Sequence, residues 1–204
     1  MKRKLIWKTV GVVILCVQSA AAQRHEVGFT LGGLFGSSKS GPAGSVDPGT
    51  GFAFQANYGF RLFGAPGFAL LGEVNFMASP LQDVASTNPL ATANFASLYV
   101  TPGIRLKLLP SGRFSPYAAV GGGYALFEQS VQRLDGLPNN APRYTSHGAL
   151  DFGGGVDVKL WHFVGARFEV RDFYSGNPSW NIPVSGGGFH NLAVGGGLVL
   201  RLGL

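Results

Sequence analysis

The sequence is poor in cysteine and in charged residues. It has one cysteine, Cys16, and charged residues make up 13% of its 204 residues, about half of their share in soluble globular proteins. A single cysteine can form neither a disulfide within the chain nor a thiolate metal site. The low charge indicates that part of the protein surface contacts something other than water.

Long apolar runs are absent from the chain after residue 22. A membrane-spanning helix needs about 18 or more consecutive apolar residues, and no stretch there reaches that length. Glycine is abundant, at 32 residues, but apolar and aromatic residues separate the glycines. This composition excludes a membrane helix and argues against a disordered Gly/Pro tract.

The first 22 residues are typical of a secretory signal peptide. Basic residues cluster in 2–8, residues 10–17 are apolar, and three alanines at 20–22 provide a cleavage site. We therefore expect residues 1–22 to be removed and residues 23–204 to form one domain. Removal of four basic residues lowers the formal net charge from +6 to +2, so nucleic acid is not an expected partner.

Apolar residues recur with a period of two in the rest of the chain. The pattern is clearest in residues 52–62, 97–108, 164–171 and 191–204, where Leu, Val and Phe alternate with Gly, Ala, Asn and Arg. Because successive side chains of a β-strand point to opposite faces, each segment would have one apolar face and one small or polar face. The pattern predicts β-strands throughout.

We predict eight strands, joined alternately by long polar loops and short turns. Their approximate bounds are 25–36, 51–63, 68–79, 95–109, 114–129, 146–160, 164–175 and 189–203. The short links are residues 64–67, 110–113 and 161–163. This organisation predicts an all-β fold, an eight-stranded antiparallel up-and-down transmembrane β-barrel.

A soluble β-sandwich or a lipocalin would also show alternating strands. Such a protein would carry charges on its outer face, whereas the non-apolar face here is rich in glycine and alanine, which suit a narrow barrel interior. We also expect aromatic girdles at both membrane interfaces. The residues near the short turns are Phe60, Phe63, Phe68, Phe114, Tyr117, Trp161 and Phe163, and those near the long loops are Phe35, Phe52, Phe76, Phe95, Phe127, Phe173 and Tyr174.

Charged residues on the non-apolar face are predicted to form a network inside the barrel. A three-residue turn at 161–163 keeps the faces matched and places Asp157 opposite Arg167. Buried charges must be paired or hydrated, and bases outnumber acids, so we expect Lys107 and Arg201 to be solvated near the periplasmic mouth. The predicted network is Arg61, Glu73, Arg105, Lys107, Asp151, Asp157, Lys159, Arg167, Glu169, Arg171 and Arg201.

Three glycine triplets, at 121–123, 153–155 and 195–197, do not link a strand to a helix, so they are not nucleotide-binding loops. The alternation places the first and third glycine of each triplet inward, where they leave room for long side chains. Pro102 lies inside a predicted strand and cannot donate to the ladder, so we expect a bulge or a broken bond there.

No catalytic site, cofactor site or metal site is predicted. Ser146 and His147 are adjacent and would point to opposite faces of their strand, which prevents a Ser/His pair. His147 and Asp151 share a face but lie about 13 Å apart in an extended strand. The remaining histidines, His25, His162 and His190, show no metal-ligand spacing.

Four segments resemble the outer-membrane β-barrel domain family of opacity-like and outer-membrane protein A-like barrels. They are Pro116–Tyr124, Gly153–Leu160, Arg167–Gly176 and Gly195–Leu202. The resemblance spans the predicted mature chain and implies a bacterial outer-membrane location. Many of these barrels end in an aromatic residue that is read by the assembly machinery, whereas this chain ends in Leu204.

We expect a non-enzymatic structural or adhesin-like surface barrel whose lumen is filled with side chains. The alternatives are a narrow channel for ions or small solutes and a lipid-modifying outer-membrane enzyme. The expected partners are outer-membrane lipid and lipopolysaccharide, the barrel-assembly machinery, and an extracellular ligand at the loops.

Overall fold

The computed structural model describes residues 25–203. The predicted signal peptide, residues 1–22, lies outside the described residues, as does Leu204. Within the described part of the chain, no helix is long and apolar enough to cross a membrane.

Residues 25–203 form ten strands, and eight of them close into an antiparallel ring. The ring order is β1, β4, β5, β6, β7, β8, β9 and β10, and β10 pairs with β1. The predicted fold class is confirmed, and β1, β7 and β9 have the predicted bounds. The strands are β1 His25–Gly36, β2 Lys39–Gly41, β3 Gly44–Pro48, β4 Thr50–Gly64, β5 Phe68–Ser86, β6 Asn94–Leu108, β7 Phe114–Gln129, β8 Tyr144–Lys159, β9 Val164–Ser175 and β10 Phe189–Leu202.

The strands are strongly staggered around the ring. Following paired residues once around it leads from Phe35 of β1 back to β1 at His25, ten residues away. Such a stagger tilts the strands, as closure of a small barrel requires. Both described ends of the chain lie at the end that carries the short turns.

The β8–β9 hairpin has the predicted register. Asp157 pairs with Arg167, Gly155 with Glu169, and Gly153 with Arg171. The inner glycines sit close to the neighbouring backbone, since a Cβ on Gly155 would lie 2.2 Å from the carbonyl oxygen of Phe168. The three-residue turn is therefore confirmed, and the inner glycines allow the strong coiling of the wall.

The long loops contain more regular structure than their polar composition predicts. β5 continues to Ser86 instead of ending near residue 79, and it pairs there with the β2–β3 hairpin of the first loop. Val46 and Val84 are buried in this extension, and their burial explains why it forms. The chain bulges between Ser79 and Gln82 in β5.

Pro102 breaks a ladder without a bulge. On the β7 side the pairing passes from Val100–Tyr124 to Gly103–Gly121 with no partner for residues 101 and 102, because proline lacks the N–H that the ladder requires. On the other side Pro102 pairs with Val74 in register.

Four aromatic residues that we assigned to the girdles lie inside the barrel instead. Phe95, Phe127, Phe173 and Tyr117 are all at most 6% exposed. Strand parity decides whether a side chain faces in or out, and a position near a loop or turn does not. Phe35, Phe52, Phe63 and Trp161, by contrast, are outward and exposed.

Candidate functional site

The interior of the barrel has two layers. The end with the short turns holds a charged layer, and the end with the long loops holds an aromatic layer. Ten charged side chains are buried in the described chain, five acids and five bases: Glu26, Glu73, Asp151, Asp157, Glu169, Arg105, Lys107, Arg167, Arg171 and Arg201. Formal charge is therefore balanced inside the wall.

The charged layer has a lower part, nearer the short turns, and an upper part, nearer the long loops. The lower part is centred on Lys107 and Arg167. Lys107 Nζ lies 2.5 Å from Glu26 Oε2 and 2.7 Å from Asp157 Oδ2. Arg167 donates to both oxygens of Asp157, at 2.7 and 2.9 Å, and to Asn57 Oδ1 at 2.6 Å. The bidentate pair fixes the Arg167 guanidinium as well as neutralising it.

The upper part of the charged layer is centred on Arg171. Its guanidinium lies 2.7 Å from Asp151 Oδ2 and 3.3 Å from Glu169 Oε2, and it also contacts Glu73. Glu73 in turn contacts Arg105. These residues come from β5, β6, β8 and β9. The Arg171–Glu73 pair crosses the bore and connects β9 to β5, which are not neighbours in the wall.

Tyr117 joins the two parts of the charged layer. Its hydroxyl donates to Glu169 Oε2 at 2.5 Å. The guanidinium carbons of Arg105 and Arg167 lie 4.6 and 4.9 Å from its ring centroid, within the range of cation–π attraction. Tyr117 was missed as a site residue because we assigned it to the aromatic girdle near the short turns.

The structure places the predicted network residues as follows. Glu73, Arg105, Lys107, Asp151, Asp157, Arg167, Glu169, Arg171 and Arg201 have buried side chains. Arg61 is half-buried. Lys159 is exposed at the lower mouth, so its assignment to the internal network was wrong. It is the last residue of β8, where the wall no longer shields it.

The prediction that Lys107 and Arg201 are solvated was also wrong. Lys107 is 1% exposed and Arg201 is 5% exposed. The error came from omitting Glu26, which contacts Lys107 directly and lies 3.9 Å from Arg201. Glu26 has the same strand parity as Gly28 and Thr30, so the alternation in β1 could have revealed it.

An aromatic plug fills the bore above the charged layer. We use this name for Phe95, Tyr99, Phe127, Phe173, Trp180 and Phe189, each at most 2% exposed. Trp180 comes from the last long loop, residues 176–188, and its ring lies 5.1 Å from that of Phe95 and 5.5 Å from that of Phe189. Edge-to-face contacts of this kind stabilise the packing beyond the area that they bury.

The long loops are tied together above the plug. The N–H of Thr92 donates to the carbonyl oxygen of Trp180 at 3.0 Å, and Asn181 donates to the carbonyl oxygen of Leu90 at 2.7 Å. The N–H of Leu134 donates to the carbonyl oxygen of Ala91 at 2.9 Å. We call this assembly of residues 37–49, 87–93, 130–143 and 176–188 the loop cap.

The family model described as outer membrane protein beta-barrel domain matches residues 9–199 of the chain. The chain belongs to this family. It is therefore a bacterial outer-membrane β-barrel, and the exposed apolar wall faces lipid.

Solved structures show the same fold for this outer-membrane barrel. The Neisserial surface protein A is 14% identical with a TM-score of 0.59, covering 87% of this chain and 97% of its own. OprG from Pseudomonas aeruginosa is 13% identical with a TM-score of 0.55, covering 90% and 98%. The outer membrane enzyme PagL is 15% identical with a TM-score of 0.51, covering 85% and 99%. No curated protein matches the chain in sequence.

His147 and His190 make contacts away from the charged layer, and the His147 ring lies 6.3 Å from the ring of Phe127 in the aromatic plug. His147 Nε2 lies 2.9 Å from the carbonyl oxygen of Asn177 in the loop cap. His190 Nδ1 lies 2.7 Å from Asp172 Oδ2 on the outer wall, a pair that we did not predict. Among residues 25–203 no group of three or more His, Cys, Asp or Glu side chains has the geometry of a metal site.

Proposed function

We propose that this outer-membrane barrel is a non-enzymatic surface protein, a closed scaffold that presents its loop cap to an extracellular ligand. The observation that carries the proposal is that two layers, the charged layer and the aromatic plug, each fill the interior of the barrel. A barrel that is filled in this way has no aqueous path, so its contacts with the exterior are made through the cap.

The charged layer argues against the alternative of a narrow channel. Five acids and five bases balance each other inside the wall, and opening a path through them would leave charges unpaired in a confined space. Breaking a buried pair costs about 3–5 kcal/mol. Trp180 closes the upper end in addition.

Conductance across a planar lipid bilayer tests the closed state. The wild-type barrel is expected to show no single-channel steps above the noise of the bilayer, with a general porin as the positive control. Regular conductance steps from the wild-type protein would overturn the proposal in favour of a channel.

The loop cap has the properties of a binding surface. Its loops are held by backbone hydrogen bonds, so less conformational entropy is lost on binding than with free loops. Four apolar side chains are exposed there: Leu90 (44%), Val131 (61%), Leu134 (39%) and Leu137 (55%). Contiguous exposed apolar patches are typical of interaction sites, and the hydrogen bond from the N–H of Leu134 to the carbonyl oxygen of Ala91 brings Leu134 beside the segment that carries Leu90.

Attachment of bacteria tests the role of the cap. Cells of a non-adherent strain that produce the barrel are expected to attach to a cultured epithelial monolayer more than cells with the empty vector do. A variant with Leu134→Ser and Leu137→Ser should lose most of that gain, while Glu128→Gln at the rim should keep it. Equal attachment by producing cells and vector cells would overturn the adhesin-like role.

The His190–Asp172 pair favours a second candidate function, a lipid-modifying enzyme, because a carboxylate that orients a histidine is one part of a general-base site. No serine hydroxyl completes a catalytic pair with either histidine among the described hydrogen bonds, so we rank it second. Release of fatty acid from lipopolysaccharide by the wild-type barrel, abolished by His190→Ala but not by His147→Ala, would replace the first proposal with this one.

Membrane lipid and the barrel-assembly machinery are the partners that we propose for folding and insertion. The lipid-facing wall supports the first of these, because its apolar side chains are widely exposed, among them Leu198 at 51% and Val120 at 52%.

A further inference from the structure

The charges outside the bore differ between the two ends of the barrel. The end with the short turns has three basic side chains that are not buried, Arg61, Arg113 and Lys159. The acids near this end, Glu26 and Asp157, are buried inside the wall and paired there. The acidic side chains of residues 25–203 that are not buried all lie towards the long loops: Asp47, Asp83, Glu128, Asp135 and Asp172. The short-turn end therefore presents an excess of positive charge.

Arg113 and Lys159 lie opposite each other at this end. Strands β7 and β8 pair as far as Phe114 and Val158, and one position further the N–H of Lys159 donates to the carbonyl oxygen of Arg113 at 2.8 Å. Directly opposite residues of an antiparallel pair have Cβ atoms about 5 Å apart, so two like charges there repel each other. Both residues are exposed, and no acidic side chain of the described chain forms an ion pair with either. An anion between them would remove the repulsion.

A recess of about 460 Å³ opens beside these two cations. Leu160, Trp161 and His162 complete its lining, and Leu160 and Trp161 are 54% and 70% exposed. The recess therefore combines a cationic part with an apolar part. An amphipathic anion would occupy both parts, whereas inorganic phosphate would occupy only the first.

The recess lies at the edge of the lipid-facing wall. Phe114 and Phe163 flank it and are 58% and 60% exposed, and together with Trp161 they belong to the aromatic girdle that marks a membrane interface. The short turns of outer-membrane barrels face the periplasm. The position therefore matches the headgroups of the periplasmic leaflet of the outer membrane.

We propose that this recess binds the headgroup of one anionic phospholipid of the periplasmic leaflet. Arg113 and Lys159 contact the phosphate oxygens, while Leu160 and Trp161 pack against the first methylenes of an acyl chain. Charge selects the lipid, because the ammonium group of a zwitterionic phospholipid would meet two cations and no exposed acidic side chain of residues 25–203 at this end. The site lies at the opposite end of the barrel from the loop cap, so it does not depend on the proposed function.

Native mass spectrometry of the barrel, purified from outer membranes in a neutral detergent, tests the proposal. The probes are phosphatidylglycerol and, separately, phosphatidylethanolamine. The wild-type barrel should retain one phosphatidylglycerol molecule at least about tenfold more tightly than phosphatidylethanolamine, and the double substitution Arg113→Gln with Lys159→Gln should abolish this preference. Trp161→Ala should weaken the retention of both lipids and leave the preference unchanged, because it removes only the apolar part of the recess.

The matched control is Arg143→Gln, which removes an exposed cation at the long-loop end that is paired with Glu128. It should retain phosphatidylglycerol as the wild type does. Equal retention of the two lipids by the wild type, or an unchanged preference in the double variant, overturns the proposal. Complete displacement of phosphatidylglycerol by inorganic phosphate would also overturn it, since the recess would then recognise the anion alone. Heat-modifiable gel migration verifies folding, and Lys159→Gln alone tests the site if the double variant fails to fold.

Discussion

At the scale of single residues, Glu26 decides how the charged layer is balanced. Without it, the buried bases would exceed the buried acids, and Lys107 would lose one of its two carboxylates. Glu26 is 5% exposed and comes from β1, far in sequence from its partner on β6. Charge balance in the bore therefore depends on the closure of the ring.

Glu26→Gln is expected to lower the free energy of unfolding by about 3–5 kcal/mol, the usual cost of removing one partner from a buried pair. Urea titration of the barrel in lipid vesicles, followed by tryptophan fluorescence, measures the change. The exposed carboxylate of Glu128 provides the control, since Glu128→Gln should shift the free energy by less than about 0.5 kcal/mol. Equal effects of the two substitutions would contradict the role of Glu26.

Two glycines provide a second prediction at this scale. A Cβ on Gly197 would lie 1.8 Å from the carbonyl oxygen of Phe29, whereas a Cβ on Gly148 would meet nothing within 4 Å. Gly197→Ala should therefore prevent most of the chain from reaching the heat-modifiable folded form on a gel, and Gly148→Ala should not. A normal folded fraction for Gly197→Ala would contradict this prediction, since it would mean that β1 and β10 can move apart to accept the methyl group without loss of stability.

At the scale of elements, the long loops differ most from what their amino-acid composition predicts, because they are ordered by hydrogen bonds. Residues 130–143 are polar and lack a long strand, yet they are fixed to residues 87–93 by backbone hydrogen bonds. Asp135 stabilises their tip by accepting from Arg133 at 2.7 Å and from the N–H of Leu137 at 3.0 Å. The loop cap is thus built from local turns joined by long-range contacts.

The hydrogen bonds from Arg133 and Leu137 hold the pKa of Asp135 below its usual value. The stabilisation from the ionised form is therefore complete above the unfolded pKa of about 3.9 and is lost as the pH falls through the lower folded value. Amide hydrogen exchange at Leu137 should be protected at pH 7 and lose protection under stronger acid. Asp135→Asn should lose it already at pH 7, and unchanged protection would refute the assignment.

At the scale of the whole molecule, the two layers close the bore independently of each other. The aromatic plug depends on Trp180 from a loop, whereas the charged layer is built entirely from strand residues. Loss of the plug should loosen the cap without opening a path for ions.

Trp180→Ala is therefore expected to lower thermal stability without producing conductance across a planar bilayer. Removing a buried tryptophan costs about 3–5 kcal/mol, which a shift in the temperature of heat-modifiable migration should reveal. Conductance steps in Trp180→Ala alone would show that the charged layer does not seal the bore.

The local pattern of the sequence determined the number of strands in the ring, the faces of the wall and the register of the β8–β9 hairpin. These features depend on alternation within one segment or across one short turn, so neighbouring residues carry all the information. Phe95 and Phe127 were placed in the girdle by their position near the long loops, whereas the parity of each residue in its strand points both of them inward.

Only the tertiary structure decided which charges meet across the bore, where Trp180 inserts, and that Asp172 meets His190 on the wall. Lys107 and Glu26 are 81 positions apart, and their contact requires a closed ring of tilted strands with a ten-residue stagger. Stagger is a property of the whole ring, because the register of every hairpin contributes to it. No single segment of the sequence contains it.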